Sequence, residues 1–322
     1  MRIIGRRTLQ RSAAWASSLV RPGPVILGYH RIADCEWDPY KICVGSRNFS
    51  EQLDVLSEYG QPVSLKQIRR NLGGRTVSRR SIAVTFDDGY ADTFDVAAPL
   101  LSQKEIPATV FVVSGALGRN FWWDEVLRIV SNAAELPARF ELEAGPKLFR
   151  WSGGTDPGSK RDVLVRRLGD YFRSIDSSAH VTVLARLRTI FGVGQDRSDK
   201  PDVVCPERLA DASRDGLLDI GSHTVSHMSL GKLSEARQEQ ELRDSKHDLE
   251  EITGREISSF SYPNGVHSAT TGRVAARLGF ELACTSSAGV VSAGANPYFL
   301  PRLWVGDWDG DRFASWLKLW SR

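Results

Sequence analysis

An apolar run that collides with two adjacent carboxylates constrains this chain more than any other feature. Ile82-Ala83-Val84 carries no polar relief and reads as a buried strand. It runs into Thr85-Phe86-Asp87-Asp88-Gly89-Tyr90, where a Gly-assisted turn has to follow. Side chains alternate along a strand, yet a turn lets neighbouring Asp residues face one pocket. Like charges that close repel unless something holds them. A metal ion is the usual solution: one Asp ligates and the other stays free as a base. Taken alone, the segment reads equally well as a plain strand-end turn.

A second segment shifts that balance. Gly221-Ser222-His223-Thr224-Val225-Ser226-His227 follows another apolar run, Leu217-Leu218-Asp219-Ile220. Two imidazoles four residues apart share one face of a helical turn, so both reach one ion. Zinc takes nitrogen and oxygen ligands, and a catalytic site has three protein ligands plus water. Asp88, His223 and His227 make such a set, with zinc as the expected divalent ion. The competing reading is two unrelated histidines in a polar loop.

These residues carry a resemblance. Thr85-Phe86-Asp87-Asp88-Gly89 and His223-Thr224-x-x-His227 resemble the first two motifs of the polysaccharide deacetylases. That family is carbohydrate esterase family four, which includes the nodulation-type chitooligosaccharide deacetylases. Phe260-Ser261-Tyr262-Pro263-Asn264-Gly265 is similar to its third motif, again at a strand end. The resemblance covers roughly residues 24 to 115 and 205 to 305. It implies an α/β fold, a distorted (β/α) barrel, and metal-dependent removal of N- or O-acetyl groups from a glycan with release of acetate. It further implies Asp87 as base, Asp88, His223 and His227 as metal ligands, and Tyr90, Tyr262, Pro263 and Asn264 as substrate or oxyanion contacts.

The chain departs from the family pattern in three places. Ser261 stands in the third motif where an Arg normally steadies the catalytic Asp. Asn264 stands where a Tyr is usual, although its backbone N–H can still serve the oxyanion. No late Leu-x-His supplies the general acid. Val25-Ile26-Leu27-Gly28-Tyr29-His30-Arg31-Ile32 offers a replacement. It is similar to the opening strand of the circularly permuted poly-N-acetylglucosamine deacetylase branch, and that likeness implies His30 as the acid. Leu300-Pro301-Arg302 resembles the branch's late strand, which implies Arg302 as the group steadying Asp87. The plainer alternatives are a core histidine for His30 and a weak surface ion pair for Arg302.

Length fits one barrel, residues 24–322, preceded by a basic arm, 1–23, and interrupted by an insertion at about 119–204. A net charge of +3 is too small to argue for nucleic acid, and no nucleic-acid-binding signature is present. The insertion begins Phe121-Trp122-Trp123-Asp124-Glu125 and continues as helix, then a hairpin from Ala138 to Trp151 around Gly145-Pro146, then two Arg-rich helices. Trp122 and Trp123 can stack on sugar rings, or they can anchor a core. Elsewhere the pattern predicts a helix over Phe49–Tyr59 stopped by Gly60 and a strand over Ala108–Val113. It also predicts a helix capped by Ser234 running to Thr253, a strand over Phe280–Cys284 and a terminal helix over Asp311–Trp320.

Cys35, Cys43, Cys205 and Cys284 form no Cys-x-x-Cys motif and are most simply free thiols, which favours a reducing, cytoplasmic compartment; a Cys35–Cys43 bridge is the alternative, with nothing in the sequence to support it. The arm carries Arg2, Arg6, Arg7, Arg11 and Arg21 with no acid before Asp34. It reads as a solvated arm, or as an interfacial helix touching the membrane surface through Trp15 and Leu19. Two other functions compete with deacetylation of an acetylated glycan. One is a non-catalytic glycan-binding protein, against which an intact Asp87 argues. The other is a metal-dependent amidase on a small non-sugar amide, which a small closed pocket would favour.

Overall fold

A computed structural model describes residues 23–72, 78, 80–153, 160–194 and 201–320. The expected basic arm therefore lies, apart from Gly23, outside the described residues. The chain divides into two compact units, Met1–Gly118 with Val203–Arg322, and Arg119–Asp202.

The first unit is built on a parallel sheet. Its strands are β1 (Val25–Tyr29), β2 (Ser81–Phe86), β3 (Ala108–Val112), β4 (Leu218–Ser222), β5 (Ser259–Ser261), β6 (Leu282–Cys284) and β7 (Leu303–Trp304). They lie in the order β6-β5-β4-β3-β2-β1-β7, and the short strand Gln61–Pro62 pairs with β2. A parallel bridge between Cys284 and Leu300, just before β7, brings the two ends of this curled sheet together. The result is the expected distorted barrel. Among the described residues, seven α-helices accompany it: α1 (Ser46–Tyr59), α2 (Leu65–Asn71), α3 (Ala98–Gln103), α4 (Pro206–Arg214), α5 (Glu235–Thr253), α6 (Ala269–Arg277) and α7 (Gly310–Leu317).

The strands look uniformly apolar because both of their faces are covered. Alternation reappears in the packing. Val25, Leu27 and Tyr29 of β1, Ile82, Val84 and Phe86 of β2, and Val110 and Val112 of β3 join the layer shared with the helices. Ile26, Ala83 and Phe111 fall in the other layer, with Leu282 and Leu300. Thr85 and Thr109 share that second parity, as does Asp87, the first residue past β2. All strands run the same way, so their C-terminal ends gather the loops at one end, where barrel enzymes carry their chemistry.

The expectation of free thiols fails in this unit. Cys35 and Cys43 are disulfide-bonded, and only Cys205 and Cys284 are free. The two-residue strands Arg31–Ile32 and Cys43–Val44 pair in parallel, so the intervening loop returns on itself and brings the two Cα atoms to 6.4 Å. The argument for a reducing compartment loses its premise. No helix among the described residues is long and apolar enough to cross a membrane.

The second unit holds helices Trp122–Asn132, Lys160–Phe172 and His180–Phe191 and an antiparallel hairpin, Arg139–Ala144 with Lys147–Ser152. Gly145 takes the positive φ, 55°, that a two-residue loop requires at its first position. Alternate hairpin residues Phe140, Leu142, Phe149 and Trp151 are buried among this unit's own helices, with Leu168 and Phe172.

Candidate active site

Asp87 and Asp88 leave the end of β2 in different ways. Asp87 continues the strand, its N–H donating to Tyr29 O at 2.9 Å. Asp88 then turns left-handed, φ 75°, followed by Gly89 at φ 80°. That reversal breaks the alternation and lets both carboxylates serve one site. Asp is among the residues that tolerate this region, and Gly89 accepts it at no steric cost.

The histidines arrive on a loop after β4. The sequence places them on one face of a helical turn, but the backbone there is not helical. Thr224 and His227 have φ 68° and 56°. The reason is local hydrogen bonding: Thr224 Oγ1 accepts from His227 N at 3.0 Å and Ser222 Oγ accepts from Thr224 N at 3.2 Å. The convergence holds nonetheless. Asp88 Oδ1 lies 3.5 Å from His223 Nε2 and 3.3 Å from His227 Nε2. The three ligand atoms all lie within 4.8 Å of one another.

The chemistry of this set fits a divalent cation. His223 Nδ1 lies 2.9 Å from Ser261 O, and a carbonyl only accepts. The proton is therefore on Nδ1, and Nε2 keeps its lone pair toward Asp88. Burial pushes the His223 imidazole down to about 4, so it is neutral at working pH. Asp88 Oδ1 is buried and receives no hydrogen bond of ordinary geometry. An ionised carboxylate oxygen left so in a protein interior is a place for a cation. Two imidazole nitrogens and one carboxylate oxygen match the catalytic zinc pattern.

Arg302 is completely buried and grips Asp87 with both prongs. Nη1 donates to Oδ1 and Nη2 to Oδ2, each at 2.7 Å. The remaining donors are used as well: Nη1 to Thr85 Oγ1 at 3.1 Å, Nη2 to Ser261 Oγ at 2.7 Å and Nε to Thr285 O at 3.1 Å. Ser261, the residue in the usual Arg slot, donates to Asp87 Oδ2 at 3.2 Å. A small hydroxyl there leaves room for a guanidinium from β7's approach. Burial alone would raise the Asp87 carboxyl, but the Arg302 charge, His223 and the Arg302 hydrogen bonds hold it well below the usual carboxylate range.

His30 follows β1 as Asp87 follows β2, and Tyr29 pairs with Phe86 in register. The His30 ring stacks on Trp304 of β7, centroids 4.6 Å apart. It is near enough to act electrostatically on both Asp87 and Asp88.

The remaining predicted residues separate. Asn264 is exposed, left-handed at φ 57°, and donates through Nδ2 to Ser229 Oγ at 3.2 Å. Pro263 is buried beside it. Tyr90 and Tyr262 are buried; Arg31 covers the Tyr90 ring, and the Tyr262 hydroxyl donates to Tyr298 O at 3.0 Å. Both side chains are thus packed into the interior. Within the second unit, Trp122 stacks on Phe172 and Trp123 on Phe121, at 5.1 and 4.1 Å between centroids. Each Trp thus has a ring of its own unit across one face. Sequence reasoning passes over Thr85, Thr285 and Trp304. Thr85 stands in the first motif itself, and its parity with Asp87 is the signal that it shares the same face.

Comparison with known proteins bears on the family and the fold. The family model described as "Polysaccharide deacetylase" matches residues 74–138 and 185–283, just over half of the chain. YxkH of Bacillus subtilis (strain 168), named for the polysaccharide deacetylases, is 27% identical over 310 residues, covering 95% of this chain and 80% of that protein. The poly-β-1,6-N-acetyl-D-glucosamine N-deacetylase of Escherichia coli O157:H7 is 31% identical over 105 residues, which is 32% of this chain and 15% of that protein. Among solved structures, IcaB from Ammonifex degensii has the same fold, with a TM-score of 0.60 at 20% identity over 93% of this chain and 97% of that one.

Proposed function

Because this chain belongs to the polysaccharide deacetylase family, and is thereby a hydrolase that removes acetyl groups from glycans, we propose that it acts on N-acetylated sugars with Asp87 as base and His30 as acid. The observation that carries the reading is the buried Arg302–Asp87 fork beside three convergent ligand atoms. Binding a glycan requires no spare carboxylate; hydrolysis does.

Asp88, His223 and His227 would hold a divalent metal, which when bound acidifies a water and polarises the acetyl carbonyl. Asp87 stays ionised throughout the working range because Arg302 holds it so. A carboxylate offers about four lone-pair positions. Arg302 and Ser261 occupy three on Asp87, two of them at Oδ2. Oδ1 keeps one free to accept the proton of the attacking water. Its orientation is fixed by the fork, so the acceptor needs no reorganisation during reaction. The Asn264 N–H is the donor suited to the developing oxyanion. His30 delivers a proton to the departing amine, a need that amides have and acetate esters scarcely share. Products are acetate and a free amino sugar. The N-deacetylase name of the Escherichia coli relative supports the choice of an N-acetyl substrate.

Acetate release from matched N-acetylated and O-acetylated oligosaccharides tests the proposal. N-acetylated substrates are expected to turn over. Asp87→Asn is expected to keep its metal and lose about 10²- to 10⁴-fold in rate, the usual share of a general base. Near-normal turnover in that variant would remove Asp87 from the base role.

A further inference from the structure

Helix α5 turns a polar face toward the metal half of the site. Glu241, Ser245 and Asp248 follow the i, i+4, i+7 spacing of one helix face. Each grips a different segment. Asp248 Oδ2 accepts from Ser114 Oγ, just past β3, at 2.8 Å. Ser245 Oγ lies 2.8 Å from Ser222 Oγ at the end of β4. Glu241, buried at 2% exposure, reaches the His223–His227 loop itself. A helix packed on a barrel normally presents apolar side chains here, since buried polar groups are costly unless satisfied.

The backbone of that loop can be accounted for donor by donor. His223 N donates to Val112 O at 2.8 Å, Thr224 N to Ser222 Oγ at 3.2 Å and His227 N to Thr224 Oγ1 at 3.0 Å. The two middle donors, Val225 N and Ser226 N, both go to Glu241 Oε2, at 3.1 and 3.0 Å. Ser226 Oγ donates to Oε1 at 2.8 Å, and Arg237, one turn earlier on α5, approaches Oε1 to 3.0 Å. A carboxylate is the one side chain whose two oxygens accept from all sides. The loop needs such a clamp because Thr224 and His227 hold a backbone conformation that side-chain-bearing residues avoid.

We propose that Glu241 is a positioning residue for metal binding: its carboxylate holds the Thr224–His227 bend so that both imidazoles stay aimed at one point. This rests on the reading of Asp88, His223 and His227 as metal ligands. Glu241 acts through the backbone between the two imidazoles. The structural cost of losing it and the loss of metal affinity are separable, because the bend lies at the barrel mouth and the core lies beneath it.

The test is zinc affinity of the full chain, stripped of metal and titrated against a chromogenic chelator. Outer partners of metal ligands typically contribute about 10- to 100-fold in affinity. Glu241→Ala is expected to weaken zinc by that factor while the metal-free protein keeps its circular dichroism. Glu241→Gln keeps the shape and one acceptor but turns an amide NH₂ toward other donors, so it is expected to recover part of the loss. Hydrogen exchange supplies a direct readout: the Val225 and Ser226 amides are expected to exchange faster in both variants. His227→Ala serves as the control on the ligand set. If Glu241→Ala binds zinc within twofold of wild type while His227→Ala does not bind, the clamp is overturned and the ligand set stands. If wild type and His227→Ala bind alike, the ligand set falls and takes the clamp with it. If Glu241→Ala does not fold, Glu241→Gln decides: affinity within twofold of wild type overturns the proposal.

Discussion

Replacing Arg302 by Met tests the electrostatic core of the site. The side chains are similar in reach, so packing against Phe111 and Trp304 is largely kept. What disappears is the fork on Asp87, leaving a carboxylate at 3% exposure without its cation. Removing one partner of a buried pair costs about 3–5 kcal/mol, because the other charge stays behind unpaired. The pH dependence carries the sharper signature. In wild type the Asp87 carboxyl lies below its unfolded value of about 4, so its contribution is present above that pH and fades only as pH falls through the folded value. In Arg302→Met, burial acts without Arg302 to oppose it, and the carboxyl rises above its unfolded value. The folded state then binds the extra proton, so the variant gains stability as pH falls from 7 through the raised pKa. Between pH 4 and 8 the wild-type contribution from Asp87 should therefore stay flat, while the variant gains stability toward acid. Urea unfolding from pH 4 to 8, with chelator present to keep the neighbouring site free of metal, measures both quantities. The acid limb of kcat/KM should also move to higher pH. A variant that loses less than about 1 kcal/mol at pH 7 and keeps the wild-type slope would refute the reasoning.

Other expectations are simpler to check. Chelation should abolish acetate release and added zinc should restore it, while His227→Ala should purify with less metal than wild type; equal metal content would take His227 out of the ligand set. His30→Ala should slow amide substrates more than activated esters, whose leaving groups need little protonation; equal slowing of both assigns the acid role elsewhere. Burial pushes the Cys284 thiol up to about 12. A thiol reagent at pH 8 should thus modify Cys205 alone in the native protein, Cys284 only after unfolding, and Cys35 and Cys43 only after reduction. Rapid reaction of two thiols in the native protein would contradict the packing around Cys284.

What could be read in advance follows the range of the interactions. The convergence of Asp88, His223 and His227 was visible because each motif is local: a strand, a turn, and chemistry within seven residues. The helix ending at Thr253 was visible because Ser234 and Gly254 mark its ends. The backbone of the His223–His227 loop was not, because side-chain hydrogen bonds outcompete the helical turn that i, i+4 spacing suggests. Arg302 emerged only by family likeness, since no spacing rule links it to Asp87. The Cys35–Cys43 bridge hides behind strands of two residues, too short to leave a pattern. Glu241 was the least legible. In a helix rich in Glu and Arg, a carboxylate facing a loop looks the same as one facing water.

Asp87 and Arg302 are 215 positions apart, yet they are buried against one another. A chain emerging in order must carry Asp87 through most of its synthesis with no cation to meet it. β2 can form its apolar contacts with β1 and β3 early, but its tip has to remain wet until β7 docks. Closing so long a loop is entropically slow. The last strand to be made is thus also the one that brings Asp87 its cation. A chain without β7, and so without the α7 that follows it, would hold a hydrated Asp87 where the finished protein holds a fixed one.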